Sequence, residues 1–290
     1  MIGRQRKRGR TGERTISLKS ESELAAMRRA GQLVALTLER LADAAVPGVT
    51  TEELDRLTEA TIRSFGGLPT FYKLYGYPAH LCVSINDEVV HGIPGPRELK
   101  PGDIVSFDVG ATVDGMIGDA AITVGVGPIS EEAKRLLEVT HESLMKGVEQ
   151  ARPGNRVADI SRAIQEEAEG HGYSVVRKLV GHGVGHEMHE APHVPNFVEG
   201  TMTESAELRP GMTLAVEPMV NAGGWQVVQE ADGWTYRTQD GSLSAHFEHT
   251  VAITEDSAEI LTLRHGLTRE DVRREEGKAS GRRPGALAGG

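Results

Sequence analysis

Two stretches of this chain repeat one another. PGVTTEELDRLTEATIRSFGG, beginning at Pro47, overlays PGNRVADISRAIQEEAEGHGY, beginning at Pro153, at a constant offset of 106. Pro47 then matches Pro153, Gly48 matches Gly154, Leu54 matches Ile160, Arg56 matches Arg162 and Gly66 matches Gly172. Each stretch follows a segment of helical period. Ser20-x-x-Glu23 is a capping box that opens a helix in which Leu24, Met27, Gly31, Val34 and Leu38 recur as far as Ala45. Ser130 restarts a helix that runs to about Ala151. Pro-Gly stops the first helix in both copies. A second helix follows, from the Thr50-x-x-Glu53 capping box to Gly66-Gly67 in one copy and from about Val157 to Gly170 in the other. A repeat this long is not a solenoid. It predicts two halves related by a pseudo-twofold, in an α+β fold with helices segregated from strands and a site at the seam where two sheets meet.

The first pair of helices leads into short alternating segments, Leu81–Ile85, Val89–Ile93, Ile104–Thr112 and Met116–Val124. Turn signals such as Asn86-Asp87 and Asp114-Gly115 bound them, so they read as strands in hairpins. Residues 1–15 contain Arg4, Arg6, Lys7, Arg8, Arg10 and Arg14 against one acid, Glu13, with too little apolar surface to order them. They read as a basic disordered tail, either simply solvated or in weak electrostatic contact with ribosomal or other nucleic acid. Residues 269–290 read as a second disordered tail, rich in Gly, which leaves a single domain over 16–268. Thirty-two basic residues against 42 acidic ones make nucleic acid an unlikely default partner for the remaining surface. The single cysteine, Cys82, excludes an internal disulfide and any site built from several thiolates, and it fits a reducing cytoplasm. No apolar run reaches membrane-spanning length, and no hydrophobic segment follows the basic N-terminus as a secretory signal would require.

Charges in apolar strands mark the chemistry. In IVSFDVGATVDGMIGDAAIT, Asp108 sits among Val105, Phe107 and Val109, and Asp119 beside Ile117 and Ala121. With a turn of two or four residues around Val113 to Gly115, both carboxylates fall on one face of the hairpin, opposite or diagonal, at roughly 5 to 8 Å between β-carbons. Two like charges held there repel and are costly to desolvate. A divalent cation removes both penalties. The alternative is an edge strand with both aspartates in water. Downstream, MTLAVEPMV places Glu217 in an apolar strand before Pro218, and SAHFEHTVAIT places Glu248 just before another. A carboxylate in such a strand needs a partner. LVGHGVGHEMHEAPH carries His182, His186, His189 and His193 among glycines, which admit close backbone approach while imidazole binds metals or carries protons. Its HEAPH segment matches HExxH formally, but Pro192 and the upstream glycines argue against the helix that the zincin motif requires. His186 and His193 read as plain surface residues. Asp108, Asp119, His182, Glu217 and Glu248 together make four carboxylates and one imidazole, a set suited to two divalent ions about 3.5 to 4 Å apart that share bridging carboxylates.

Taken together, HGIP with His91, the paired Asp108 and Asp119, GHGVGHEMHE with His182 and His189, VEPMV with Glu217, SAHFEHT with Glu248, KPGD at 100–103 and DGW at 232–234 resemble the signature of the type I methionine aminopeptidases from about residue 16 to residue 264. The resemblance implies the duplicated pita-bread fold. It also implies removal of the initiator methionine from nascent chains when the second residue is small, by a hydroxide activated between two divalent ions (Co, Mn, Fe or Zn). It places Asp108 on one ion, His182 and Glu217 on the other, and Asp119 and Glu248 across both. Glu217 is implied as proton acceptor, His189 as hydrogen-bond partner of the scissile amide and His91 as a contact near the leaving group. Tyr77, Cys82 and Trp234 match positions that wall the methionine pocket, where a thioether packs on sulfur and aromatic surface. The resemblance implies a monomer, since the family is commonly monomeric, and the lack of a long apolar run predicts no membrane partner. Two departures stand out: Met188, before His189, and Leu74, in FYKLYGYP, replace aromatic residues usual in the family. Phe71 or Tyr72 is left to fill the gap. The competing readings are an Xaa-Pro aminopeptidase of the same fold, which usually carries an extra N-terminal domain, and an inactive pita-bread protein that binds peptide or RNA.

Overall fold

The computed structural model describes residues 16–198 and 200–263, so the tails expected at 1–15 and 269–290 lie outside the described residues. The duplication appears in the backbone. α1 (Glu21–Ala44) and α2 (Thr51–Ser64) in the first half correspond to α3 (Glu131–Gln150) and α4 (Val157–Gly170) in the second. Ala45 and Ala151 close the long helices at φ/ψ of −75/69 and −76/67. Gly48 and Gly154 then turn the chain at φ 90 and 86, a region that glycine enters without a Cβ penalty. The start of α2 has a complete capping box, with Thr50 Oγ1 accepting from Glu53 N at 3.3 Å and Thr50 N donating to the Glu53 carboxylate at 2.8 Å. At the start of α4 the equivalent donation is from Arg156 N to Asp159, also at 2.8 Å.

Ile104–Val113 is the spine of the first sheet, pairing antiparallel with Met116–Gly125, Cys82–Ile85 and Leu68–Pro69. The second half has an antiparallel five-stranded sheet in the order Ala258–Ile260, His249–Ile253, Thr213–Val216, Gly181–Gly183, Glu190–Val194. Two three-stranded sheets complete the strands, one of Ser244–His246, Met219–Asn221 and Ser174–Val175, the other of Val227–Gln229, Tyr236–Thr238 and Glu88–Val90. α1 lies against the first sheet where two glycines meet: a Cβ on Gly118 would sit 2.7 Å from the amide nitrogen of Gly31. Each half has its own apolar cluster. One draws only on residues 33–126 for its fully buried members, and the other on residues 133–253 with Ile104. Phe247 packs against both.

Two expected strands are shorter than the sequence pattern suggested, for local reasons. Val89–Ile93 survives only as Glu88–Val90, because His91 takes φ 60 and leaves the extended region. Leu81 stands outside its strand, its amide given to the Asp55 carboxylate at 3.0 Å. Among the described residues no helix is long and apolar enough to cross a membrane.

The seam itself is strand-like. Glu248 N donates to Ala121 O at 2.9 Å. On one side, Thr250 Oγ1 accepts from Asp119 N at 3.0 Å and donates to Asp119 O at 2.7 Å. On the other, Thr123 Oγ1 accepts from His246 N and donates to His246 O, both at 2.9 Å. Two threonine hydroxyls thus bind the halves together around Glu248.

Candidate metal centre

Asp114 (φ 50) and Gly115 (φ 79) make a two-residue turn that pairs Val113 with Met116. Counting back, Asp108 faces Ala121 and Asp119 faces Gly110, so the two carboxylates are diagonal neighbours on one face, as the spacing predicts. Asp119 is 3% exposed and its backbone is fixed by Thr250. Across the seam Glu248, 2% exposed, brings its carboxylate to the same point.

His182 lies mid-strand between flanking glycines that let the neighbouring strands approach. Its Nδ1 is 2.9 Å from Gly183 O. A carbonyl can only accept, so Nδ1 carries the proton and the Nε2 lone pair faces the acids. That Nε2 is 3.4 Å from Glu217 Oε1 and 4.0 Å from Asp119 Oδ2. Glu217 is not inside a strand, as the sequence pattern suggested. Strand Thr213–Val216 ends just before it and Met219–Asn221 begins after Pro218, whose ring has no amide to continue a ladder. Donor atoms of Asp119, His182 and Glu248 lie within 4.8 Å of one another. All five expected donors line one cavity of about 170 Å³.

Burial pushes all four carboxyls up from the ordinary carboxylate range, Asp108 to about 7, and neighbouring carboxylates add to the effect at Asp119, Glu217 and Glu248. Burial and the adjacent His189 push His182 down to about 3. Asp108 Oδ1, Asp119 Oδ1 and Glu248 Oε1 have no hydrogen-bond partner among the described residues. Orphaned, crowded, desolvated acids beside an unprotonated imidazole nitrogen are what a divalent cation satisfies, so the donor set fits a metal.

The remaining expected residues lie around this set. Tyr77, Cys82 and Trp234 line the same cavity, with the Tyr77 and Trp234 rings edge to face at 5.1 Å. Burial raises the Cys82 thiol well above its usual range, which keeps it protonated and a poor nucleophile. Met188, 4% exposed, and Leu74 also line the cavity. Phe71, not Tyr72, fills the gap: it lines the cavity, while Tyr72 is 43% exposed and stacks on His80 at 4.7 Å. His91 and His189 both face in, and the His189 ring is 4.3 Å from that of His182. Burial and the charge of His189 lower His91 to about 4. Glu190–Val194 is an extended strand, so the HExxH match has no helix beneath it. His193 is exposed, and exposed His186 pairs with Glu23 at 2.7 Å.

Two residues at the site lay outside the sequence reading. His246, 2% exposed, turns Nε2 to within 3.9 Å of Glu217 Oε2 and has no hydrogen-bond partner there among the described residues. Its place two residues before Glu248, on the same side of an extended segment, was the available signal. Tyr75 reaches His189 Nδ1 at 3.3 Å from a left-handed backbone of φ 52, which no sequence period announces.

Fold and donor set together define a class, and comparison with known proteins gives the same one: residues 25–255 match the model of metallopeptidase family M24. The chain belongs to that family. Within it, the chain stands with the methionine aminopeptidases. It is 52% identical over 248 residues to the methionine aminopeptidase of Clostridium perfringens, covering 86% of this chain and 99% of that one. It is 51% identical over 247 residues to methionine aminopeptidase 1 of Bacillus subtilis, covering 85% and 99%. The crystal structure of the methionine aminopeptidase from Thermotoga maritima superposes with a TM-score of 0.84 at 47% identity, covering 86% of this chain and 100% of that one. A prolidase from Pyrococcus furiosus, at 21% identity and a TM-score of 0.67, shares the pita-bread fold alone.

Proposed function

We propose that this metallopeptidase releases methionine from the N-termini of polypeptides, nascent chains above all, when the second residue is small, using two divalent ions. One observation carries the reading: four buried carboxylates and an imidazole able to hold metal share a single cavity with the sulfur and aromatic surface of Cys82, Met188, Tyr77 and Trp234. His182 and Glu217 would hold one ion, Asp108 the other, and Asp119 and Glu248 both. Divalent ions in that position supply Lewis acidity, which makes water a nucleophile near neutral pH and polarises a carbonyl. The rest falls to the chain's own side chains. Glu217 accepts a proton at a carboxylate oxygen. His189 hydrogen-bonds the scissile amide and steadies charge developing on its oxygen, and His91 meets the substrate near the leaving group. Cys82, Met188, Tyr77 and Trp234 enclose the thioether. The free α-amine is expected at the Asp108 end, which restricts the reaction to chain ends. Oxygen-rich donors with one imidazole suit Mn, Fe or Co, with Zn also admissible.

The test is direct. With divalent metal added, the folded protein is expected to free methionine from Met-Gly-Met and to leave a Met-Lys peptide intact. Folded, metal-replenished protein that releases no methionine from Met-Gly-Met refutes the activity, and equal turnover of the Met-Lys peptide refutes the small-residue restriction. Metal analysis of protein purified without added metal identifies the ions.

A further inference from the structure

Glu190 is the glutamate of the formal HExxH match, and the metal centre leaves it without a task. Its side chain is 12% exposed. Glu190 Oε2 receives Lys19 Nζ at 2.7 Å, and Oε1 receives the amides of His186 at 2.7 Å and Glu187 at 3.1 Å. Burial alone would raise this carboxyl. The Lys19 ammonium and the two amides outweigh it and hold the group below its usual range. Lys19 comes from the opposite end of the chain, just ahead of α1, and its side chain is 1% exposed. Its backbone is anchored separately, Lys19 N donating to Gly211 O at 2.7 Å. Gly185 leaves the room this requires, since a Cβ there would overlap the Lys19 stem.

The turn so held, residues 185–190, presents Met188 to the cleft wall and His189 to His182. Its entry is fixed from the first half, Ile117 N donating to Gly185 O at 2.9 Å. At its exit Glu190 pairs with Gly183 at the edge of the sheet, and its carboxylate ties the strand end back to the amides of the turn itself.

We propose that Lys19 is a positioning residue for His189: through Glu190 it locks the 185–190 turn and so sets where the imidazole meets the substrate. The proposal rests on the aminopeptidase reading above. Without the ammonium, a desolvated Glu190 gains by swinging to water, which frees the amides of His186 and Glu187 and lets the turn drift. A group that stabilises the transition state is sensitive to small displacements, whereas of the methionine wall only Met188 moves with the turn, and Tyr77, Cys82 and Trp234 lie outside it.

Lys19→Met keeps the apolar stem and removes the charge. It is expected to lower kcat on Met-Gly-Met by about tenfold with a smaller rise in KM as Met188 shifts with the turn, and Lys19→Arg to restore most of the loss. In a His189→Ala background the same substitution should cost no further kcat, because that effect passes through the ring already removed. Amide exchange at His186 and Glu187 should quicken in Lys19→Met while α1 keeps its protection. Unchanged kcat, or an equal loss in the His189→Ala background, would overturn the proposal. If Lys19→Met does not fold, Glu190→Gln carries the same cycle, since it keeps an acceptor but removes the ion pair. Should the wild-type protein release no methionine, the aminopeptidase reading fails, and the exchange measurement still decides whether Lys19 holds the turn.

Discussion

A charged side chain in an apolar strand has few ways to be stable, and Asp108, Asp119 and Glu248 each keep one buried carboxylate oxygen without a hydrogen-bond partner among the described residues. That made these positions legible from sequence. Asp108→Ala is therefore expected to abolish methionine release while the protein still folds, because one desolvated acid has been removed from a repelling set. Assays of peptide hydrolysis beside circular dichroism check this, and retained turnover would remove Asp108 from the site. Other residues gave no comparable signal. A histidine in an apolar strand is ordinarily a satisfied core residue, so His246 could not be told from one. Tyr75 depends on a positive φ, and such backbone is dictated by the loop around it rather than by neighbours in sequence.

At the level of elements, helix caps and hairpin turns are local interactions and could be read accurately, from Ser20-x-x-Glu23 to Asp114-Gly115. The join between Asp119–Thr123 and His246–Thr250 is made by residues far apart in sequence and has no period of its own. A second internal likeness bears on the donors instead: LKPGDIVSFD, ending at Asp108, parallels LRPGMTLAVE, ending at Glu217, so each half delivers one acid at corresponding places after a Pro-Gly turn. Pro218 then ends the second strand early, a difference that the likeness hides. Thr250→Val removes a hydroxyl that both accepts and donates at buried Asp119. The expected cost is about 1 to 3 kcal/mol of stability, with weaker metal retention because Asp119 loses its support. Denaturant titration and equilibrium dialysis measure the two, and an unchanged midpoint would show that the seam does not depend on that threonine.

For the molecule as a whole, the raised carboxyls tie stability to pH and metal. Without metal the native state keeps protons that the unfolded chain has already released between the ordinary carboxylate range and about pH 7. At these acids the native state binds more protons in that window, so their contribution to the stability of metal-free protein falls as pH rises through it, while buried His91, His182 and His246, held well below the ordinary imidazole range, oppose that fall below about pH 6.5. Metal replaces those protons and its stabilisation grows in the same direction. The melting temperature of chelated protein should thus drop from about pH 6.5 to about pH 7.5, where the imidazoles are neutral in both states, and added Mn²⁺ should raise it more at the higher pH. A metal-free melting temperature that rises over this range would contradict the burial of the acids. The division of labour between the halves has one more consequence. Asp108 and Asp119 come from the first, His182, Glu217 and Glu248 from the second, yet each half has an apolar cluster of its own. A cut between Gly127 and Pro128, both exposed, would leave two fragments with cores but no complete donor set, so recovered activity would report that the fragments had found each other. The chain is laid out as a split reporter.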